Sequence, residues 1–147
     1  MEKPYLSIVV TTRNDNHGGD LIERTKCFVE GIYHQSEKNN LPVELIIVEW
    51  NPPAGKPLLK DVLPKPSQNS NVILRYIIVP EEIHKQYSFS SRMPLFQMIA
   101  KNVGIVRANA DFVLCTNIDL IFSDELFVFL AQKKLSESIF YRANRVD

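Results

Sequence analysis

Polar residues with the chemistry of a binding site stand directly after three apolar stretches of the chain. They provide carboxylates, amides and hydroxyls, which are the groups that hold oxygen-rich ligands and hard divalent cations. The clearest case is an isolated Asn and Asp, Asn117 and Asp119, at the end of a strand-like run. The three groups are Thr11-Thr12-Arg13-Asn14, Glu49-Trp50-Asn51 and Asn117-Ile118-Asp119.

These groups meet only if the stretches before them are parallel strands of one sheet. Each stretch is rich in β-branched and apolar residues, as expected for strands that are buried on both faces. Amphipathic spacing predicts one helix over 20–36 and another from about Pro94, and Ser123 followed by two acids predicts the start of a short helix. The predicted strands are Tyr5–Thr12, Val43–Trp50, Val72–Val79 and Asp111–Thr116, with a fifth candidate at Ser138–Arg142.

Alternation of such strands with helices predicts the α/β class, with a Rossmann-like, mainly parallel sheet covered by helices on both faces. In sheets of this kind, ligands bind at the carboxyl ends of the strands. We therefore expect the three polar groups to line one crevice. Two local features are also predicted. Asp20 and Glu23 form a capping box at a helix start, and Gly104 allows close packing of a helix on a strand.

Composition limits the classes of function. A chain of 147 residues with 45% hydrophobic residues predicts one globular domain. The formal net charge is zero, which gives no support for a general nucleic-acid binder. Cys27 and Cys115 fit no metal motif, and we expect buried free thiols in a reducing compartment. The sequence shows no secretory signal and no membrane-spanning stretch, so a cytoplasmic protein is expected.

A phosphate-bearing ligand would need cations in this crevice. The chain has neither the glycine fingerprint of dinucleotide-binding proteins nor a P-loop. A divalent cation, Mn²⁺ or Mg²⁺, held by Asp119 would serve, since such ions commonly use one or two carboxylates together with substrate phosphates. Arg92 and Lys101 are expected to add positive charge.

Three segments resemble the nucleotide-sugar-binding half of a family 2 glycosyltransferase with the GT-A fold, and together they cover most of residues 6–130. Within the third, Lys101-Asn102-Val103-Gly104 and the Ala108–Asp111 run are similar to the family's Arg-Asn-x-Gly-x-x-x-Ala-x-Gly-Asp pattern. Asn117-Ile118-Asp119 occupies the place of the family's Asp-x-Asp. The segments are LSIVVTTRND at 6–15, ELIIVEWNPP at 44–53 and AKNVGIVRANADFVLCTNIDLIFSDEL at 100–126.

The resemblance implies a role for each tip of the first two strands. Thr11, Thr12, Arg13 and Asn14 would line the pocket for the nucleoside. Glu49 would accept a hydrogen bond from uracil or ribose.

The third tip would face the phosphates. Asp119 would bind the metal that bridges the diphosphate of the donor. Asn117 stands where the family has the first acid, so the resemblance leaves open whether a metal is held weakly or is dispensable. Arg92, Lys101 and Asn102 complete the candidate donor-binding set, and for Asn102 a role in bonding loop backbone stays open.

The implied activity is transfer of a sugar from a nucleotide-sugar donor, first of all a UDP-sugar, to an unknown acceptor. The family's catalytic base belongs to an acceptor half that would follow Asp147, so no catalytic residue is assigned. Residues 1–147 are interpreted as one donor-binding domain that ends before that half. Uncovered apolar surface then predicts a homo-oligomer or marginal stability.

Other interpretations stay open at this point. A non-catalytic nucleotide-binding module is one alternative, and a nucleotidyltransferase ranks last because the loop at 13–19 has no lysine. Asp119 would otherwise be a strand-end turn residue, and Glu49 a member of a surface ion pair. Trp50 would stack either on a base or on a proline of the following loop.

Overall fold

The computed structural model describes residues 3–146 of the chain. Its strands form one four-stranded sheet in which every neighbouring pair is parallel. The strands are β1 (Leu6–Thr12), β2 (Val43–Trp50), β3 (Val72–Val79) and β4 (Phe112–Cys115). The helices are α1 (Leu21–Lys38), α2 (Leu59–Val62), α3 (Glu81–His84), α4 (Gln97–Ile105) and α5 (Asp124–Ala131). The predicted α/β class, with a parallel sheet flanked by helices, is confirmed.

The order of the strands is β3-β2-β1-β4. The register places Leu6 of β1 opposite Val43 of β2 and opposite Phe112 of β4, so the strands start together at one edge of the sheet. Their carboxyl ends share the other edge. The chain moves from β1 to β2 and later returns past β1 to β4, so the direction of crossing reverses at β1.

Two apolar layers cover the sheet. Ile8 and Val10 of β1 pack in the layer that contains α1 and α5, and Val9 packs in the layer that contains α4. This alternation follows from the period of two along a strand. When two right-handed crossovers run in opposite directions across a sheet, their helices lie on opposite faces of it. The location of α1 and α4 on different faces is the expected result.

The predicted capping box at Asp20 is wrong. Asp20 has a left-handed conformation with φ of 48°, and its side chain makes no cap hydrogen bond. The loop folds back on itself, and Asn16 Oδ1 instead accepts the Leu21 N–H at 3.2 Å. The predicted cap at Ser123 is confirmed, because its hydroxyl accepts the Leu126 N–H.

Three other expectations also need correction. Residues 138–142 form no strand, and the segment after Val79 contains the short helix α3 rather than only loop. Cys27 and Cys115 are both exposed, not buried. Cys27 lies on the outer side of α1, and Cys115 lies on β4, at the edge of the sheet.

Large apolar side chains remain exposed near β4 and in the C-terminal segment. Val113 of β4 is 39% exposed, Val106 is 75% exposed and Phe140 is 96% exposed. These values agree with the expected uncovered apolar surface, while association into an oligomer stays a prediction. Within residues 3–146, no helix is both long enough and apolar enough to cross a membrane.

Gly104 brings α4 into close contact with the sheet. A Cβ atom built at Gly104 would lie 2.5 Å from Val9 Cγ1 and 3.1 Å from Val48 Cγ2. The first distance is far below van der Waals contact. A glycine at this position therefore sets how closely α4 lies on β1 and β2, as the sequence predicts.

Replacing Gly104 should test this contact. We expect Gly104→Ala to destabilise the protein by about 1–3 kcal/mol, because the added methyl overpacks a buried layer. Gly31→Ala is the matched control, since Gly31 lies inside α1 and a Cβ there meets no atom within 4 Å. The control should be stabilising by up to about 1 kcal/mol, the helix propensity difference between the two residues.

Urea unfolding, followed by the fluorescence of the single tryptophan, measures both variants. A Gly104→Ala protein as stable as its Gly31→Ala counterpart would contradict the proposed close approach.

Candidate functional site

A cavity of about 360 Å³ opens at the carboxyl edge of the sheet, between β1 and β4. This is where the direction of crossing reverses, and ligands of open α/β sheets bind at such points. The tips of β1 and β4 form its floor, and the loops before α1 and α4 form its walls. The lining residues with polar side chains are Thr11, Thr12, Arg13, Asp15, His17, Arg24, Arg92, Gln97, Asn117 and Asp119.

A second cavity, of about 330 Å³, shares Arg13, Arg92 and Pro94 with the first. Asn51 at the end of β2 lies in its lining, together with residues of α3 and of the loop behind it. The two cavities thus adjoin each other at the side chains of Arg13 and Arg92. We refer to them together as the crevice.

Six of the predicted site residues line the crevice: Thr11, Thr12, Arg13, Arg92, Asn117 and Asp119. The tips of β1 and β4 therefore meet as the sequence predicts. Their meeting depends on the parallel register, which pairs Val9 of β1 with Cys115 of β4 immediately before the polar residues.

Four predicted residues do not line the crevice. Asn14 is buried and donates to the Pro57 carbonyl at 2.9 Å, which makes it a loop anchor. Asn102 is exposed on α4. Lys101 lies behind the crevice and donates to Asn117 Oδ1 at 3.2 Å. Glu49 is fully buried under α2.

Arg24 is a crevice residue that the sequence analysis missed. Its Nη1 donates to Asp119 Oδ2 at 2.9 Å, across 95 positions of the chain. Its other contacts are to backbone carbonyls, with Nε to Gly19 at 2.9 Å and Nη2 to His17 at 2.6 Å. One signal was present in the sequence: a cation in the first turn of a helix opposes the helix dipole. Such a residue needs a local anion or carbonyl partner.

Arg13 crosses between the two cavities. Its Nε donates to the Asn51 carbonyl at 2.6 Å, and its Nη1 forms an ion pair with Asp15 at 3.3 Å. Asn51 in turn donates to the Pro94 carbonyl at 3.1 Å. Arg13 therefore links the end of β2 to the loops on both sides of the crevice.

A buried histidine fixes the wall of the second cavity. His84 is 3% exposed, and its Nδ1 lies 2.9 Å from Trp50 Nε1, which can only donate. His84 Nε2 must then carry the proton and donate to the Ser90 carbonyl at 3.0 Å. Trp50 thus packs against His84, Tyr87 and Phe96. It is fully buried and lines neither cavity, so its ring does not face the crevice where a base would bind.

The side chains at the tip of β4 lie beside two cationic groups. Asp119 Oδ2 accepts from Arg24, and Asn117 Oδ1 accepts from Lys101. Arg24 and Lys101 would repel a metal ion at this tip. Residues 3–146 also contain no group of three or more His, Cys, Asp or Glu that is arranged to hold a metal.

Two glutamates of β2, Glu44 and Glu49, are buried, and their pKa values are shifted in opposite directions. Glu44 and Glu49 lie on opposite faces, since they are separated by an odd number of positions. Burial alone would raise the pKa of Glu44, but donors from Asn109, Ser7 and Arg75 outweigh it and lower that pKa. Glu44 is therefore a charged structural anchor at the opposite edge from the crevice.

The Glu49 carboxylate accepts one hydrogen bond, whereas the Glu44 carboxylate accepts several. Glu49 Oε2 accepts the Leu59 N–H at 3.0 Å, and its Oε1 has no partner. Burial raises the pKa of Glu49, and the single N–H offsets this only in part. Burial, reinforced by nearby Glu49, also raises the pKa of Tyr76 to about 12.

No family model, curated protein or solved structure matches the chain. The functional proposal therefore depends on the geometry and charge of the crevice. Its cavity at β1 and β4 combines Arg13, Arg24 and Arg92 with only two carboxylates, Asp15 and Asp119. This arrangement suits an anion that also carries hydroxyl groups.

The pKa of Glu49 predicts a pH-dependent change in stability. The pKa of Glu49 in the folded protein lies above the usual 4.5. The protonated carboxyl therefore contributes its full stabilisation below pH 4.5. This stabilisation is lost as the pH rises through the pKa of the folded state. Glu49→Gln stays neutral throughout. We expect this variant to be more stable than the parent protein near pH 7.5 and equally stable near pH 4, as measured by urea unfolding at both values.

Glu44→Gln is the matched comparison, because it makes the same change in the same strand. The folded pKa of Glu44 is lowered, so its stabilisation is present above pH 4.5 and is lost as the pH falls through the folded value. Loss of charged hydrogen bonds should destabilise this variant by about 1–3 kcal/mol at pH 7.5. Equal effects of the two substitutions would contradict the assigned environments.

Proposed function

We propose that the chain binds the nucleoside diphosphate of a nucleotide sugar in the crevice, as the donor-binding part of a glycosyltransferase. A UDP-sugar is the first candidate donor. The observation that carries the proposal is the meeting of the β1 and β4 tips around three arginines at the point where the crossing direction reverses. The resemblance of the same tips to a family 2 glycosyltransferase supports it independently.

The charge of the crevice supports an anionic ligand. Arg13 is paired with Asp15, and Arg24 is paired with Asp119. Arg92 lines both cavities, and its side chain has no hydrogen bond or ion pair to any residue of 3–146. One cation is therefore left without a counterion at the centre of the crevice. Guanidinium groups bind phosphate oxygens through paired N–H donors.

The polar tips supply groups for a sugar or ribose. The Thr11 hydroxyl donates to the Val48 carbonyl at 3.0 Å, which leaves its lone pairs as acceptors. Thr12 and Asn117 line the same cavity with a hydroxyl and an amide. These groups would orient the donor while the arginines hold its phosphates.

Transfer of the sugar also requires a base that removes the proton of the acceptor hydroxyl. Within residues 3–146, the carboxylates that line the two cavities are all ion-paired. The pairs are Asp15 with Arg13, Asp119 with Arg24, and Glu81 with Lys85. Each of these carboxylates is thus held by a cation of the protein itself. The chain's own residues are thus suited to binding and orienting the donor.

The same pairing favours a second candidate, a module that binds a nucleotide or nucleotide sugar without turnover. The two candidates differ in one product. A glycosyltransferase releases UDP from a UDP-sugar when an acceptor or water is present, and the module does not. Binding of UDP accompanied by no UDP release from a panel of UDP-sugars, also in longer forms of the protein, would select the module.

Calorimetric titration with UDP tests the binding of UDP in the crevice, which both candidate functions require. We expect UDP to bind and Arg92→Gln to weaken binding about tenfold or more, the effect of losing one charge-assisted hydrogen bond. The Arg92 side chain has no hydrogen bond or ion pair within residues 3–146, so the melting temperature should not change.

Arg107→Gln is the control for this titration. Arg107 is exposed and lies just before β4, at the edge of the sheet opposite the crevice. The control removes the same charge and should leave UDP binding unaltered. Failure of the parent protein to bind UDP, or equal losses in the two variants, would refute the proposed site.

A further inference from the structure

We infer that arginine replaces a divalent cation in this crevice, so that Arg24 and Arg92 neutralise the donor diphosphate without a metal. This inference rests on the proposed function. It changes the role of Asp119 from a metal ligand to the resting counterion of Arg24.

Two cations of the protein already lie at the β4 tip. A metal held there would be bound through side-chain oxygens of Asn117 and Asp119. One oxygen of each side chain accepts a hydrogen bond from a cation, Asn117 Oδ1 from Lys101 at 3.2 Å and Asp119 Oδ2 from Arg24 at 2.9 Å. The protein therefore places positive charge of its own where a metal would contribute it.

Arg24 is held in a fixed position by the backbone around it. Two backbone carbonyls, of Gly19 and His17, hold its Nε and one Nη2 hydrogen. Gly18 lies directly against the guanidinium, because a Cβ at Gly18 would come within 3.1 Å of Nη2. A guanidinium has five N–H donors, and three are used. One hydrogen on each terminal nitrogen remains for a ligand.

A ligand could readily take the place of Asp119 as the counterion of Arg24. The side chains of Arg24 and Asp119 are 35% and 44% exposed. Ion pairs at such exposure contribute little to stability, because water screens both charges. A diphosphate carries more negative charge than one carboxylate and offers several oxygens. It would displace Asp119 from Arg24 while the two carbonyl contacts keep Arg24 in position.

The two roles of Asp119 predict opposite effects of one substitution. If Asp119 binds a metal, Asp119→Asn weakens metal-dependent UDP binding. If Asp119 is the counterion of Arg24, the same variant removes a competing anion and leaves Arg24 available. UDP binding in EDTA should then become tighter, by up to about tenfold for one charge-assisted contact.

The experiment measures binding of UDP and of inorganic pyrophosphate by calorimetry, in excess EDTA and in saturating Mn²⁺. We expect the parent protein to bind both ligands in EDTA, with little change on addition of Mn²⁺. Arg24→Gln should lose about tenfold or more in EDTA for both ligands, because each contains the diphosphate. Lys26→Gln is the control, since Lys26 lies on the same helix and is also ion-paired, with Glu23 at 2.8 Å. It should bind as the parent does.

The outcomes separate the inference from the proposed function. UDP binding that needs Mn²⁺ and is lost in Asp119→Asn would overturn the inference and keep the donor site. No UDP binding in either buffer would overturn both. Binding in EDTA that Arg24→Gln does not weaken relative to Lys26→Gln would also overturn the inference. Thermal melts of all variants show whether each is folded.

Discussion

The reversal of crossing direction at β1 is the constraint on which the rest of the structure depends. Because α1 and α4 cover opposite faces, neither helix crosses the carboxyl edge between β1 and β4, and a cavity opens there. Most polar side chains of the crevice reach it from a strand tip or from a loop that leads into one of these helices, and Arg24 and Gln97 reach it from the helices themselves. The close contact at Gly104 keeps α4 against β1 and β2 and so maintains the spacing of the opening.

The same reversal explains the charges of the crevice. It brings the start of α1 beside the tip of β4, and Arg24 therefore meets Asp119 across most of the chain. A cation in the first turn of α1 is unfavourable in isolation. Contacts to two carbonyls and one carboxylate offset that cost, and an incoming phosphate could replace only the carboxylate. The ion pair is thus the replaceable part of an otherwise fixed arrangement.

Much of the fold could be predicted because its determinants are local. The bounds of β2 and β3 follow from continuous apolar runs, and the predicted strands agree with the structure there. The convergence of the β1 and β4 tips follows from parallel pairing. The cap of α1 and the exposure of Cys115 could not be predicted, since they depend on the fold of a glycine-containing loop and on which strand lies at the sheet edge. Arg24 was missed because its partner is distant in sequence.

Glu49 shows where the rule about strand tips fails. It is paired in register with Thr12, which lines the crevice, and the two side chains lie on the same face of the sheet. The proline-rich segment after β2 nevertheless returns over that face, and the N–H of Leu59 binds the Glu49 carboxylate. A nucleoside could reach Glu49 only if α2 moved and that hydrogen bond broke. In the observed arrangement the proposed donor would therefore meet the tips of β1 and β4, while the Glu49 carboxylate lies beneath α2.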